Sequence, residues 1–306
     1  MSSDGQWLKN WRHTLWLVAL SVLTLMVRHN GVLFVAPMLF IMILSFPHAR
    51  RWILGASAVV VVLAGLVKGP VANTLQVEPH DNVAGEAVGI PMAIMANALE
   101  SDPDHIPDEV HEYLNEIATD EQWQDEYIPG EWDSCKWVFG NGSLFKNESL
   151  GRILALTFKT VKACPSAAYE SARLNTQIVW DFIHTEPSWV PEEYIAENDV
   201  GIASSPVKLM HSIGEGMKTF SVFPGLSALI WNTGFQIAAI LIIYLLRIPK
   251  ISPKKTVLFL PLLAYDFGTM LLLAGPNQRY FYCNAVLYIP IIFGLLVSSP
   301  DEVKDT

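Results

Sequence analysis

Two long apolar segments enclose an acidic middle segment, and this arrangement limits what the chain can fold into. Residues 14–67 and 223–299 are almost continuously apolar. The residues between them hold 25 of the 30 acidic residues but only nine of the 20 Lys and Arg residues. A single soluble domain could not bury both apolar segments. The pattern predicts an all-α integral membrane protein with a water-exposed insert between two membrane blocks.

Six apolar segments are candidates for transmembrane helices. A helix needs about 17–25 residues to cross the hydrocarbon core of a bilayer. The first three segments are short, so Trp11, Arg28 and Lys68 are expected to extend them into the interface. The predicted spans cover residues 14–27, 31–46, 52–67, 223–246, 256–275 and 280–299. The predicted domains are a membrane block at 1–68, an acidic, mainly helical extracytoplasmic insert at 69–222, and a second membrane block at 223–306.

The N-terminal apolar segment has two interpretations. Lys9 and Arg12 precede it, as basic residues precede the apolar part of a cleavable signal peptide. However, the sequence Val27-Arg28-His29-Asn30 contains no small-residue cleavage site, and another apolar segment follows at once. A retained membrane helix is therefore predicted.

Basic residues near the span ends predict the orientation in the cytoplasmic membrane. Cytoplasmic loops of membrane proteins carry an excess of Lys and Arg. Such residues precede span one and lie between spans two and three and between spans four and five: Lys9, Arg12, Arg50, Arg51, Arg247, Lys250, Lys254 and Lys255. Both termini are then cytoplasmic and the insert faces outward. The net charge of −10 comes mostly from the insert and argues against nucleic acid as a partner.

The cysteines leave the redox state of the insert open. Cys135 and Cys164 both lie in the insert, where an oxidising compartment would allow a disulfide. Two reduced, buried thiols are the alternative, and the sequence does not decide between them. Cys283 lies in span six, where a packing role is expected.

Residues 150–163 predict a basic amphipathic helix. Leu150, Ile153, Leu154, Thr157, Phe158 and Val161 recur at helical spacing, whereas Arg152, Lys159 and Lys162 share the other face. Such a helix can lie in the membrane interface and contact anionic head groups. Packing on the core of the insert is the alternative. The basic cluster in an otherwise acidic insert favours the interface.

A cluster of acidic residues and histidines suggests a divalent cation as a cofactor. It consists of Asp102, Asp104, His105, Asp108 and His111. His105 and His111 are six residues apart and do not share a helical face. A charged helix start without a metal is the favoured interpretation, so no metal ligand is assigned.

Asp266 lies within predicted span five. An ionisable residue in a span costs about 2.5–3.5 kcal/mol on insertion scales and is a functional candidate. A hydrogen bond to Asn232 or Gln236 of span four is the structural alternative.

Several segments resemble a family of bacterial polytopic membrane proteins with GT-C-type glycosyltransferase architecture. The chain contains, in the family's order, Val27-Arg28-His29-Asn30-Gly31, the stretch from Glu86 to Met92, Tyr127-Ile128-Pro129, the stretch from Asp133 to Lys136, the stretch from Phe158 to Tyr169, and Arg279-Tyr280 followed by Pro290. Each motif alone is weak, and the ordered set is more specific. The resemblance covers most of the chain.

The chain departs from this family in its first outward loop. GT-C transferases place a catalytic Asp or Glu there, whereas Arg28, His29 and Asn30 form the loop in this chain. The chain therefore resembles the C-terminal half of such a protein. The resemblance implies a part or remnant of an enzyme, with a separately encoded N-terminal half as a partner.

The resemblance also implies a set of site residues. Arg28, Arg279, Tyr280 and Asn30 would contact the phosphate of a polyprenyl-phosphate sugar, where negative charge grows as the sugar leaves. An anchor in the membrane interface is the alternative for each of the two arginines. An acceptor hydroxyl needs a carboxylate base. Glu86 and Asp81 are the acids with a supporting position in a matched segment, although ordinary solvated acids are the simpler interpretation.

The predicted function is the transfer of a sugar from a lipid-phosphate donor outside the cytoplasmic membrane. The alternative is a non-catalytic scaffold or envelope-assembly subunit that presents its acidic insert to a partner, and a transporter is the third possibility because of Asp266. No Walker, Rossmann, nucleophile-elbow, paired Cys-x-x-Cys or His-Glu-x-x-His pattern occurs in the sequence. Soluble hydrolase and dehydrogenase functions therefore have no support.

Overall fold

The chain is all-helical throughout the part that the structure describes. This computed structural model describes residues 5–27, 29–77, 88–140, 149–182, 212–213, 216, 219–220, 223, 226–248, 253–272, 275–276 and 280–297. Every regular element among these residues is a helix, apart from one isolated bridge between Ile128 and Glu131. The predicted all-α class is confirmed.

The N-terminal block contains three helices that pack on one another. They are α1 (Trp11–Val27), α2 (Val32–Ser45) and α3 (Arg50–Leu66). A π-helical turn (Val67–Val71) joins α3 to the short α4 (Ala72–Thr74). Pro70 lies in this turn, where its missing N–H breaks the regular helical hydrogen-bond ladder.

One helix in the described part of the chain is long and apolar enough to cross a membrane. The continuous helix Pro47–Thr74 has 28 residues, and 17% of its most apolar 18-residue window is buried. It runs past residue 68, the predicted end of the N-terminal block. The other apolar helices are shorter, namely Trp11–Val27, Val32–Ser45, Thr233–Arg247 and Tyr282–Leu296. Six spans remain a prediction.

Six α-helices of the insert lie within the described residues 88–140 and 149–182. They are α5 (Gly89–Ser101), α6 (Asp108–Asn115), α7 (Asp120–Glu126), α8 (Asp133–Gly140), α9 (Leu150–Ala163) and α10 (Pro165–Trp180). The sequence Thr119-Asp120-Glu121-Gln122 predicts a capping box at the start of α7, and the structure confirms it: the Thr119 hydroxyl accepts from Gln122 N, and the Gln122 side chain accepts from Thr119 N.

Helix α5 is the centre of the insert. It is buried over nearly its whole length because α9 and α10 both pack on it. Met92, Met95, Tyr113, Leu114 and Trp132 are among the largest buried side chains of this core. The insert thus has an apolar core of its own.

The C-terminal block differs from the predicted spans. It contains α11 (Leu226–Trp231), α12 (Thr233–Arg247), α13 (Leu260–Met270) and α14 (Tyr282–Leu296), with a 3-10 helix (Pro253–Leu258) before α13. Predicted span four is split because Asn232 caps α12, its side chain accepting from Phe235 N at 2.6 Å. With 11 residues, α13 is about 16 Å long, which is short of a hydrocarbon core of about 30 Å.

Close helix contacts join the two membrane blocks. Helix α2 packs against α13, and a Cβ on Gly268 would lie 3.0 Å from the side chain of Leu33. Phe34 contacts the apolar cores of both blocks. The two blocks therefore pack as one bundle at this contact.

Basic side chains lie at one end of this bundle. Arg247 donates to Leu296 O at 2.8 Å, and Lys255 donates to Val297 O and to Gly294 O. These are carbonyl groups at the C-terminus of α14, where cations complement the helix dipole. We call this the basic end. The opposite end, where α13 ends and α14 begins, is called the loop end.

The helices of the bundle expose large apolar side chains. They include Leu15, Trp16, Leu20, Leu23, Phe40, Leu44, Leu54, Val61, Val62, Leu245, Leu246, Val286 and Phe293. Water-soluble monomers rarely expose apolar surface on this scale.

Candidate functional site

A hydrogen-bonded loop between α7 and α8 extends from the insert core. The Tyr127 hydroxyl donates to Ala93 O at 2.9 Å and accepts from Gly130 N at 3.0 Å. Asn175 Nδ2 of α10 donates to Gly130 O at 3.0 Å. Burial raises the pKa of Tyr127, so the phenol stays protonated and keeps its donor role. The loop is therefore held between α5 and α10.

Only a glycine fits at position 130. Its φ of +79° lies in the left-handed region, and a Cβ there would lie 2.5 Å from the Cβ of Leu174. The Pro129-Gly130 pair thus allows the loop to turn directly against α10.

The residues after Gly130 close the loop and place Glu131 at its tip. Glu131 N donates to Ile128 O at 2.8 Å. The Ser134 hydroxyl donates to Glu131 O at 2.8 Å and accepts from Ile128 N at 3.3 Å. Both the N–H and the carbonyl group of Glu131 are thus held by hydrogen bonds.

Glu131 contacts the segment that links α13 to α14. A Cβ on Gly275 would lie 2.9 Å from the Glu131 Cγ and 3.6 Å from its Oε1. Burial, and then the charge of Asp133, raise the pKa of the Glu131 carboxyl group. Glu131 is a half-buried carboxylate of the insert that lies against the loop end of the bundle.

The loop end itself is organised by polar contacts between α13 and α14. The Tyr265 hydroxyl donates to Tyr280 O at 2.7 Å, and Asn284 Nδ2 donates to Asp266 Oδ1 at 2.9 Å. Asp266 is fully buried in α13, one turn before the last residue of this helix, Met270.

The insert touches the bundle at a second point. A Cβ on Gly234, near the start of α12, would lie 2.7 Å from the backbone oxygen of Asp181. Val179 of α10 belongs to the same apolar cluster as Ile237 and Ile240 of α12. The C-terminal end of α10 is therefore packed against the bundle.

Two of the predicted phosphate-binding residues lie beside α13. Asn30 is buried in the 3-10 turn His29–Gly31, which packs against α13, and the backbone of Tyr280 accepts from Tyr265 on that helix. The other predicted site residues, Arg28, Arg279, Glu86 and Asp81, lie outside the described residues.

The hydrogen-bond partner predicted for Asp266 was wrong. Its partner is Asn284 of α14 rather than Asn232 or Gln236. Asn232 caps α12, and Gln236 Nε2 donates to the carbonyl groups of Leu229 and Ile230. Both side chains form hydrogen bonds with backbone groups that lack helical partners, at the point where predicted span four is split.

Helix α9 packs on the insert and also keeps an exposed apolar stripe. Ile153, Leu156 and Thr160 are buried against the core. Leu154 and Phe158 are exposed on another side, with Phe158 at 71%, and Lys162 follows one turn later. Such a stripe suits a membrane interface, and the interface location of this side stays a prediction, whereas the buried side matches the alternative of packing on the core of the insert.

Two of the three basic residues of α9 contact acidic residues of α6. Arg152 Nη2 lies 3.4 Å from Glu116 Oε1, and its guanidinium lies over the Tyr113 ring, 4.9 Å from the ring centre. Lys159 forms an ion pair with Glu109. Arg152 and Lys159 therefore hold α9 to α6, which limits their use for lipid head groups.

The predicted cation cluster is divided into two pairs. His105 Nδ1 lies 2.6 Å from Asp102, and His111 Nε2 lies 3.0 Å from Asp120. Within the described ranges, no three His, Cys, Asp or Glu side chains are grouped closely enough to hold a metal ion.

The cysteines of the insert are free thiols. Cys135 and Cys164 are both fully buried in its core, and burial raises the pKa of Cys135 to about 11. The structure thus matches the alternative of reduced thiols.

Glu131 was missed by sequence reasoning. Its neighbours Tyr127, Pro129 and Asp133 belong to matched motifs, but Glu131 looked like one acid among 25 in the insert. The Pro129-Gly130 turn was the available signal, since a loop fixed by glycine often positions a functional side chain.

Comparison with protein-family models, with curated proteins and with solved structures found no match to this chain. The site is therefore interpreted from its own geometry.

Replacing Glu131 by Gln should change how stability depends on pH. Because the pKa of Glu131 is raised in the folded chain, the stability it contributes is present at low pH and lost as pH rises through the folded-state pKa. Glu131→Gln should therefore unfold at a slightly higher temperature than the wild type at neutral pH. The difference should vanish below pH of about 4.

Thermal unfolding of the full chain in detergent at several pH values measures this effect. Glu121→Gln is the matched control because Glu121 is exposed on α7. A Glu131→Gln variant less stable than the wild type at neutral pH would contradict the prediction.

A fluorophore on α9 should report contact with lipid. In a Cys283→Ala background, a label on Phe158→Cys should be quenched by lipids with nitroxide groups on their acyl chains, because Phe158 lies on the exposed apolar stripe. A label on Glu121→Cys should not be quenched. Equal quenching at both positions, or none at position 158, would remove α9 from the interface.

Proposed function

We propose that this chain is part, or a remnant, of a GT-C-like membrane glycosyltransferase. It would act on the transfer of a sugar from a polyprenyl-phosphate donor on the extracytoplasmic side. The observation that carries the proposal is the contact of Glu131 with Gly275, because the segment that begins there leads directly to Arg279 and Tyr280.

The chemistry of sugar transfer suits this arrangement. An acceptor hydroxyl needs a base near its attack position, and a carboxylate with a raised pKa binds the transferred proton more readily. Glu131 offers such a group among the described residues. Hydrogen bonds hold its backbone at both the N–H and the carbonyl group, which favours a positioned role. Glu86 and Asp81 stay candidates from the sequence.

The departing lipid phosphate needs positive charge at the same end. In the sequence, Arg28 is close to Asn30, and Arg279 directly precedes Tyr280. Asn30 and Tyr280 both lie next to α13. Guanidinium groups bind phosphate oxygens in pairs and stabilise their growing charge. A separately encoded N-terminal half would supply the first-loop carboxylate that this chain lacks.

We also propose six spans with both termini in the cytoplasm. The exposed apolar surface of the bundle supports a membrane location. Arg247 and Lys255 lie at the basic end, whereas Glu131 and Asp181 of the insert contact the opposite end. This separation fits a cytoplasmic basic end and an insert outside. The short helices would need tilting, local thinning of the bilayer, or flanking residues to complete the crossing.

A non-catalytic scaffold is the second candidate. Its specific support is the acidic surface of the insert, where Glu112, Glu121, Asp125 and Glu126 are all exposed on α6 and α7. Such a surface would attract a basic partner. In that case, changes at Glu131 and Arg279 would leave partner binding unaffected.

Cysteine labelling tests the topology. With Asn115→Cys on the insert and Ser252→Cys between α12 and α13, a membrane-impermeant reagent should label position 115 from outside intact cells. Position 252 should be labelled only after the cells are opened. Labelling of position 252 but not 115 in intact cells would overturn the orientation.

Lipid binding tests the proposed function. The full chain in nanodiscs should bind a fluorescent polyprenyl phosphate more tightly than the matching polyprenol. Arg279→Lys should weaken this binding about tenfold, which corresponds to the loss of one charge-assisted hydrogen bond of about 1.4 kcal/mol. Glu131→Gln should leave lipid binding unchanged, because its proposed role is in proton transfer.

Arg247→Lys is the matched control, since Arg247 lies at the basic end and donates to Leu296 O. Equal binding of phosphate and alcohol, or equal losses in the two arginine variants, would exclude a phosphate site at the loop end.

A further inference from the structure

Three buried side chains at the loop end carry oxygen atoms without a hydrogen-bond partner. They are Asp266 Oδ2, Thr269 Oγ1 and Asn284 Oδ1. All three residues are at most 1% exposed. A buried oxygen without a partner is costly, on the order of 1–3 kcal/mol for a neutral group and more for a charged one. Three such atoms in one region need a common explanation.

The three residues lie at the contact between α13 and α14. Asp266 and Thr269 are three residues apart on α13, so they share a face of the helix. Asn284 lies in the first turn of α14, and its Nδ2 donates to Asp266 Oδ1 at 2.9 Å. Because this bond joins the two side chains, the amide oxygen of Asn284 and the second carboxylate oxygen of Asp266 belong to the same contact.

The carboxylate of Asp266 has no basic partner among the described residues, which do not include Arg28 and Arg279. Arg247 and Lys255 contact the C-terminus of α14, at the opposite end of the helix from Asn284. An ionised carboxylate in an apolar bundle needs a neutralising charge.

From these observations we propose that Asp266, Thr269 and Asn284 bind a small monovalent cation, Na⁺. One carboxylate balances a single positive charge, and the amide and hydroxyl oxygens add neutral ligands. A hard cation prefers oxygen ligands such as these. Calcium sites use more ligands, with several carboxylates among them, so a divalent ion fits this set poorly. The proposal does not depend on the proposed transferase function.

The bound ion would act as a bridge between α13 and α14. It would contact residues of both helices and hold them together at the end where the insert contacts the bundle. A proton on Asp266 is the competing way to neutralise the carboxylate. It would add one donor to that of the Thr269 hydroxyl, whereas a cation could take all three oxygens as ligands.

Thermal unfolding of the full chain in nanodiscs tests the site. The melting temperature in NaCl is compared with that in equimolar choline chloride, which keeps ionic strength and chloride constant. A ligand that binds only the folded state raises its stability with concentration. The wild type should show a rise in melting temperature with NaCl, and equilibrium dialysis with radioactive sodium should show saturable binding.

Conservative variants identify the ligands. Asp266→Asn should abolish both the NaCl effect and sodium binding, and Thr269→Val should weaken both. Ser21→Ala is the control, because Ser21 is a buried hydroxyl of α1 without a hydrogen-bond partner, like Thr269, but lies outside α13 and α14. It should respond to NaCl like the wild type.

The competing outcomes are distinct. A wild type that responds equally to both salts and binds no sodium would overturn the proposal in favour of a protonated Asp266. An Asp266→Asn variant that still binds sodium would also overturn it. Loss of polyprenyl-phosphate binding in the lipid experiment would leave the sodium result unchanged, so the two ideas fail separately.

Discussion

The packing of α10 against both the insert and the bundle is the constraint on which the rest of the structure depends. Its first turns lie on α5, where Asn97 donates to Ala167 O at 2.8 Å. Its last turn enters the core of the C-terminal block through Val179, and the backbone that follows meets Gly234. Because one continuous helix reaches both cores, the insert is held at a defined position over the loop end. The loop between α7 and α8 contacts the middle of this helix, where Asn175 donates to Gly130 O. The position of Glu131 relative to Gly275 therefore depends on α10.

Composition and periodicity were enough to predict the coarse features of the chain. The long apolar segments around an acidic middle predicted an all-α protein, and the sequence from Thr119 to Gln122 predicted the start of α7. These features depend on local chemistry, which a single sequence carries directly. Span lengths were harder to predict. A run of apolar residues does not show that the side chain of Asn232 caps a helix. It also does not show that α13 begins only at Leu260.

The site could be predicted only in part, because its contacts join residues far apart in the chain. Asp266 was identified as unusual from its depth in an apolar segment. However, its partner Asn284 lies on the next helix and depends on how α13 and α14 pack. Glu131 had no local signal of its own. Its importance arises from the approach of Gly275, 144 positions later in the sequence, and no periodicity encodes such an approach. The basic face of α9 shows the same limit, since the acidic partners of Arg152 and Lys159 lie on α6.

The π-helical turn at Val67–Val71 has a consequence for the rotational phase of the long third helix. A π turn adds one residue to the register of an α-helix, which rotates the following side chains by about 100°. Before the turn, Ile53, Ala56 and Val60 form one buried stripe on α3 that packs into the bundle. After the turn, residues at the same spacing along the chain face a different side of the helix from this stripe. The residues beyond Pro70 therefore continue the helix to Thr74 with a different face toward the bundle than the stripe on α3 predicts.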